Sequence, residues 1–314
     1  MSDDSSFDFF VIYRILREVG GPSAKMLRIP ATCRSHSMRR PQMDQITAPE
    51  KHASVTLRMR DVGVTYRTPA GSKEVLSAIN LDVRQGEFVC IVGPSGTGKT
   101  TLIRCIAGLM STTAGSVELD EQTVSGPPVN LALVSQDYSR SLMPWLRIDD
   151  NVALPLRGKG IKRHEIDRRV ASALSAVNLT NAARAYPWQL SGGMQQRAAI
   201  ARALAYGPEV MVLDEPFASV DAQTRAELED LMRTLQSENG MTVLLVTHDI
   251  DESVYLADRV VVLGGSPATV HTELDIELGD SRDHLATKAL PEFTRYRSEI
   301  LACIRSARLD AGAQ

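Results

Sequence analysis

The chain has 314 residues, 43% of them hydrophobic, with 35 Lys and Arg against 38 Asp and Glu for a net charge of −3. That length and apolar content support about two domains with sizeable cores, and the near-neutral balance gives no electrostatic ground for nucleic acid as the main partner. No apolar run approaches the roughly 20 residues a spanning helix needs; the best, residues 9–16, is broken by Arg14, so any membrane association is expected through a partner.

Residues 1 to about 52 differ from the rest. Between positions 9 and 43, Arg14, Arg17, Lys25, Arg28, Arg34, Arg39 and Arg40 stand against a single acidic residue, Glu18, without sustained periodicity. A poorly ordered basic extension is expected. A targeting peptide is one alternative, against which the acidic start Asp3-Asp4 argues. A start codon assigned too early is another, since Met43 directly precedes the patterned region. Cys33, Cys90, Cys105 and Cys303 lack metal or redox spacing, which suits a reducing compartment.

From Val55 the residues alternate as in half-buried antiparallel strands, at 55–59, 62–66 and 79–83. The apolar run 88–92 then leads into Gly93-Pro94-Ser95-Gly96-Thr97-Gly98-Lys99-Thr100, and a helical pattern follows from Thr101 through Leu102, Ile103 and Ile106 to Gly108. Set between strand and helix, this is the P-loop pattern G-x-x-x-x-G-K-[ST]. Its glycines let the backbone curl so that successive N–H groups point inward, and the helix adds its positive dipole end to the same concavity. Lys99 would neutralise the β- and γ-phosphates and the Thr100 hydroxyl would be a ligand of Mg²⁺. A glycine-rich turn with a solvated lysine is the plainer alternative.

Residues 115–119 resemble another antiparallel strand, and Gly126-Pro127-Pro128 closes that region. Later strands, 131–134, 210–213, 243–246 and 260–263, are continuously apolar, as buried parallel strands are. Helical faces lie between them: Ile166, Val170, Leu174 and Val177; Met194, Ala198, Ala201 and Ala205; Leu228, Leu231, Met232 and Leu235, stopped by Asn239-Gly240. The expected fold is α/β, a P-loop NTPase with a RecA-like core sheet, an antiparallel β-subdomain and an α-helical subdomain at about 137–190.

The strand ending in Leu213-Asp214-Glu215-Pro216 places two carboxylates beyond a buried run. A buried carboxylate is costly without a cation or donors, and Mg²⁺ would supply that at Asp214, the Walker B role. Glu215 could orient or deprotonate the water that attacks the γ-phosphate. The alternative is a cap for the next segment. In Leu190-Ser191-Gly192-Gly193-Met194-Gln195-Gln196-Arg197, Ser191 is a helix N-cap and two glycines leave N–H groups open, a second anion site at a helix start.

With the P-loop before it and Asp214-Glu215 after it, this stretch resembles the signature of ATP-binding-cassette (ABC) ATPases, with Met194 where glutamine is commonest. The resemblance covers roughly residues 55–303 and implies an ATPase domain at 53–278 followed by a helical tail at 279–314. It implies ATP held by Gly93, Pro94, Ser95, Gly96, Thr97, Gly98, Lys99, Thr100 and Thr101, with Lys99, Glu215 and His248 as catalytic residues. Gln136 matches the Q-loop glutamine, joining Thr100 and Asp214 at Mg²⁺; His248, in Thr247-His248-Asp249, matches the switch histidine at the γ-phosphate. Tyr66 is placed like the aromatic that stacks on adenine, ordinary strand packing being the alternative. Asp221, in Ala218-Ser219-Val220-Asp221, stands where the D-loop belongs and could equally be a helix N-cap. Because Lys99 and Ser191-Gly192-Gly193 lie at opposite ends of a subunit in this family, ATP is expected between two copies.

Gln136-Asp137-Tyr138, Met143-Pro144-Trp145-Leu146, Asn151-Val152-Ala153-Leu154-Pro155-Leu156, Gly193-Met194-Gln195-Gln196-Arg197 and Asp221-Ala222-Gln223-Thr224-Arg225 are similar to the ATPase subunits of nitrate, sulfonate and taurine importers. That implies a peripheral subunit on the cytoplasmic face of the inner membrane, paired with a second copy beneath two permease subunits served by a periplasmic solute-binding protein. Residues 143–146 would face the permease or fill their own subdomain's core. A soluble ABC ATPase acting on ribosomes or DNA, and the motor of an exporter, are the alternative functions. The residues after Leu263 are too few for the regulatory β-barrel of sugar-importer ATPases.

Overall fold

The structure, a computed structural model, describes residues 54–69, 71–137, 141–218, 220–279 and 281–312. The expected basic extension lies outside the described residues, as do Cys33, Tyr138 and Ser219.

Two sheets form the frame. The first is antiparallel, in the order β2 (Gly71–Arg84), β1 (Val55–Thr68), β4 (Ala114–Leu119), β5 (Gln122–Thr123). The second runs β10 (Thr269–Asp275), β9 (Arg259–Gly264), β3 (Phe88–Val92), β8 (Thr242–Val246), β7 (Val210–Asp214), β6 (Leu131–Val134), with β10 antiparallel at one edge and the others parallel.

The continuous apolar runs are explained by what covers each face of the second sheet. Side chains alternate across a strand, so Phe88, Cys90 and Val92 enter one core while Val89 and Ile91 enter another. The second core also holds Leu102, Ile103 and Ile106 of α1 (Lys99–Ile106) and the inner residues of β1 and β2. The helix after the P-loop is thus enclosed between the sheets; burying each such side chain contributes about 1.5–3 kcal/mol. Across the sheet lie α2 (Ile148–Arg157), α3 (Arg163–Ala176), α4 (Gly192–Tyr206), α5 (Ala222–Asn239), α6 (Ile250–Leu256) and α8 (Pro291–Gly312), the last following the short α7 (His284–Lys288).

Two details of the first sheet differ from the alternation pattern. The expected strands at 55–59 and 62–66 are one strand, interrupted by Asp61 at φ 48° where the register to β2 shifts. In addition, β2 begins at Gly71, eight positions before the patterned stretch at 79–83. Its first four residues are all exposed, so no in/out alternation marks them even though they pair with 65–68 of β1.

Candidate active site

Strands β3, β8, β7 and β6 are parallel neighbours, so their carboxyl ends share one rim of the sheet, where ligands of open α/β sheets bind. That rim gathers the P-loop after β3, Thr247 and His248 after β8, Asp214 and Glu215 at the end of β7, and Gln136 after β6.

The loop from Gly93 to Gly98 needs glycine for two reasons. Gly98 has φ 93°, a region L side chains avoid, and a Cβ there would lie 2.8 Å from Val75 Cγ1; one on Gly93 would lie 2.6 Å from the Leu263 carbonyl oxygen. Lys99 opens α1 and folds back over the loop, its Nζ donating to the carbonyl oxygens of Gly93 and Pro94 at 2.9 Å each. It is 8% exposed. Burial lowers its affinity for a proton, and the Glu215 and Asp214 carboxylates oppose that shift. The Thr97 N–H closes the turn on the Pro94 carbonyl, while Ser95 and Gly96 form the exposed rim. The first-turn N–H groups of Lys99 and Thr100 have no partner within the helix.

Asp214 is buried. Burial, then the neighbouring charge of Glu215, pushes its carboxyl above the usual range, and a hydrogen bond from the Thr100 hydroxyl partly opposes this. A hydroxyl and an under-compensated carboxylate side by side form a hard oxygen donor set of the kind Mg²⁺ takes together with phosphate. Glu215 holds φ 47°, a left-handed conformation that a non-glycine residue adopts at a cost of about 1–3 kcal/mol. Its N–H donates to the Val246 carbonyl at 2.8 Å, locking it against β8. One carboxylate oxygen, Oε2, accepts from Gln136 Nε2 at 2.9 Å and lies 3.2 Å from His248 Nδ1. Three residues expected from separate motifs therefore meet on a single oxygen.

Tyr66 of β1 stands half-buried beside α1, its hydroxyl 3.1 Å from Thr101 Oγ1. Ser191 caps α4, its Oγ accepting from the Met194 N–H at 3.4 Å, and Asp221 caps α5 through the Thr224 N–H at 3.0 Å. The signature and D-loop segments approach each other, a Cβ on Gly193 lying 3.7 Å from Val220 Cγ1. Among the described residues, no hydrogen bond or ion pair joins Ser191, Gly192, Gly193 or Asp221 to the P-loop. The 143–146 segment is pinned by Asn151, fully buried, whose side chain bonds Met143 N and O and the carbonyls of Leu146 and Arg147. Met143 turns inward and Trp145 stays 61% exposed, so this tryptophan does not fill the subdomain's core.

The sequence reading missed a cluster behind His248. Arg225 reaches Asp249 and Glu252, and Glu252 accepts from Thr247. Arg225 and Asp249 both lie inside quoted motifs, and their charges at the starts of consecutive helices were the available signal.

The fold agrees with comparisons to known proteins. Residues 76–218 match the family described as ABC transporter. The nitrate import ATP-binding protein NrtD of Synechocystis is 40% identical over 254 residues, 79% of this chain and 95% of its own length. The aliphatic sulfonates import ATP-binding protein SsuB of Bacillus licheniformis is 39% identical over 227 residues, 72% of this chain and 86% of its own. Among solved structures, the ATP-binding cassette MJ0796, a dimer in a post-hydrolysis state bound to ADP and phosphate, aligns with TM-score 0.65 at 32% identity, covering 70% of this chain and 99% of that one. The chain belongs to the ABC transporter family, among the ATP-binding, ATP-hydrolysing subunits of ABC importers.

Proposed function

We propose that this chain powers uptake of a small oxyanion, nitrate or an organic sulfonate such as taurine, by closing and reopening as a pair around ATP beneath a permease. The observation that carries the catalytic part is the convergence of Gln136 and His248 on Glu215, beside buried Lys99 and Asp214. Lys99 exchanges its two carbonyl partners for phosphate oxygens, and the first-turn N–H groups of α1 hold the same phosphates. Glu215 accepts the proton of the attacking water, and His248 and Gln136 orient that carboxylate and contact the terminal phosphate side. Thr100, Asp214 and Gln136 would hold Mg²⁺, which supplies charge neutralisation for the β- and γ-phosphates. Tyr66 stacks on the base.

The signature end, Ser191 with Gly192 and Gly193, faces the phosphates bound by a second copy, with Asp221 at the same junction. This is supported by the absence, among the described residues, of any hydrogen bond or ion pair to its own P-loop and by the dimeric state of MJ0796. An apolar groove lined by Leu131, Leu133, Leu154, Pro155, Ala203 and Tyr206, with exposed Trp145 on the same subdomain, is suited to a permease helix. Among the described residues no helix is long and apolar enough to cross a membrane, which fits peripheral attachment to the cytoplasmic face.

The solute class rests on the NrtD and SsuB relatives. Reconstitution of the chain with its permease pair in proteoliposomes tests it. ATP turnover should rise when the solute-binding protein is loaded with nitrate or a sulfonate; unchanged turnover with each of these anions, while basal hydrolysis persists, would contradict it.

A further inference from the structure

We propose that Arg225 is a positioning residue for hydrolysis, bracing the segment that carries His248 so that its imidazole stays on Glu215; this rests on the catalytic reading above. Arg225 lies in the first turn of α5, four residues after the Asp221 cap, and Nη2 donates to the Val220 carbonyl at 3.4 Å. From there it crosses to the start of α6. Nη1 donates to Asp249 Oδ2 at 3.3 Å, and Nε lies 3.7 Å from Glu252 Oε1, an ion-pair distance longer than a hydrogen bond.

Both acceptors grip the residues that flank His248. Asp249 caps α6, its Oδ1 accepting from the N–H groups of Asp251 at 2.9 Å and Glu252 at 3.2 Å. Glu252 accepts from Thr247 Oγ1 at 2.6 Å, and that same hydroxyl accepts from the Asp249 N–H at 3.0 Å. Thr247 and Asp249 are thereby tied on either side of His248, whose own side chain is 61% exposed and has its described polar contact at Glu215. An exposed imidazole keeps several rotamers unless its backbone is held, and ordering a side chain costs entropy that a braced backbone reduces. Glu252, 5% exposed, is a buried carboxylate whose nearest cation is this guanidinium. A cavity of about 40 Å³ is lined by Glu215, Ala218, Arg225, Thr247, His248, Asp249 and Glu252, so the brace forms the wall behind the reacting carboxylate.

The hydrogen bonds and ion pairs of Arg225 go to Val220, Asp249 and Glu252, and among the described residues none reaches the P-loop or Asp214, so its loss should act on turnover and not on ATP affinity. In the full-length chain, Arg225→Gln should lower kcat about tenfold with the Kd for ATP unchanged, about the factor expected when one charge-assisted hydrogen bond holding the His248 segment is lost. Arg225→Lys should recover part of the rate. Because the effect runs through His248, Arg225→Gln should add nothing to the loss already caused by His248→Ala. Asp249→Asn, which keeps the helix cap but removes the charge facing Arg225, should reproduce the slow phenotype and carries the test if Arg225→Gln fails to fold. Additive losses in the double variant, or full turnover by Arg225→Gln while His248→Ala is slow, would overturn the inference alone. Full turnover by His248→Ala would instead remove the catalytic reading and the inference with it.

Discussion

The P-loop and the start of α4 are both helix N-termini opened by glycines, but their surroundings differ. At the P-loop, Lys99 is buried and hydrogen-bonded to Gly93 and Pro94, and Asp214, Glu215, Gln136 and His248 stand on the same sheet rim. At the start of α4, Ser191 is exposed, its hydroxyl accepts from its own helix, and among the described residues neither a cation nor a carboxylate is bonded to it. One end holds the groups that charge compensation and water activation require. The other offers only dipole and N–H groups. A helix start is a complete phosphate site only with what the sheet delivers beside it, which is why the proposed role of the α4 end is to meet a phosphate already bound by a second copy.

The largest effects are expected at the P-loop end. Lys99→Ala should weaken ATP binding and abolish hydrolysis, whereas Glu215→Gln should keep binding and slow hydrolysis by about 10²-fold or more, the range for losing a general base. Nucleotide binding and phosphate release, measured on both variants, separate these; near-normal turnover by Glu215→Gln would remove the base assignment. A smaller effect is expected where the base is held. Tyr66→Ala should weaken ATP binding several-fold, about 0.5–1.5 kcal/mol of aromatic contact, while Tyr66→Phe, losing only the hydroxyl bond to Thr101, should bind nearly normally. Equal losses in the two would point to strand packing instead of stacking.

The smallest effect sharpens the contrast from outside both ends. Glu229, on α5, is 1% exposed, and burial pushes its carboxyl up to about 8. Burial likewise lowers the proton affinity of His284, whose Nε2 lies 3.1 Å from Glu229 Oε2, with Lys288 Nζ at 3.8 Å from the same oxygen. The folded state therefore keeps a proton that the unfolded chain releases near the ordinary glutamate value. Stability from this site is present at low pH and falls as pH rises through about 8. Glu229→Gln should raise Tm by a few degrees at pH 9 and change it little at pH 5, with ATP turnover unaltered; a loss of turnover would tie this buried acid to the nucleotide site.

What could be read from the sequence follows the same division. The P-loop and the Ser191 cap were legible because each is a contiguous stretch whose residue types the local backbone demands, and Asp214-Glu215 because two carboxylates directly follow a buried apolar run. Gln136 and His248 were singled out by family resemblance alone, and their meeting on Glu215 was not legible at all, since only the strand order β3-β8-β7-β6 makes neighbours of residues so far apart in the chain. The first half of β2 was hidden because its residues are exposed and carry no alternation. The Arg225 brace was hidden because helix propensity accounts for Arg225 on α5 without its partners, and α6 must dock before they meet.

If the Ser191 end completes the nucleotide site of a second copy, light scattering on Glu215→Gln at matched concentrations, with and without ATP, will show it. The protein should be mainly monomeric without ATP and shift to a dimer with it, because nucleotide bound across two copies stabilises the pair by mass action and hydrolysis no longer dissolves it. Adding Ser191→Arg should abolish the shift while ATP still binds at the P-loop; an ATP-dependent dimer that persists in the double variant would contradict the account.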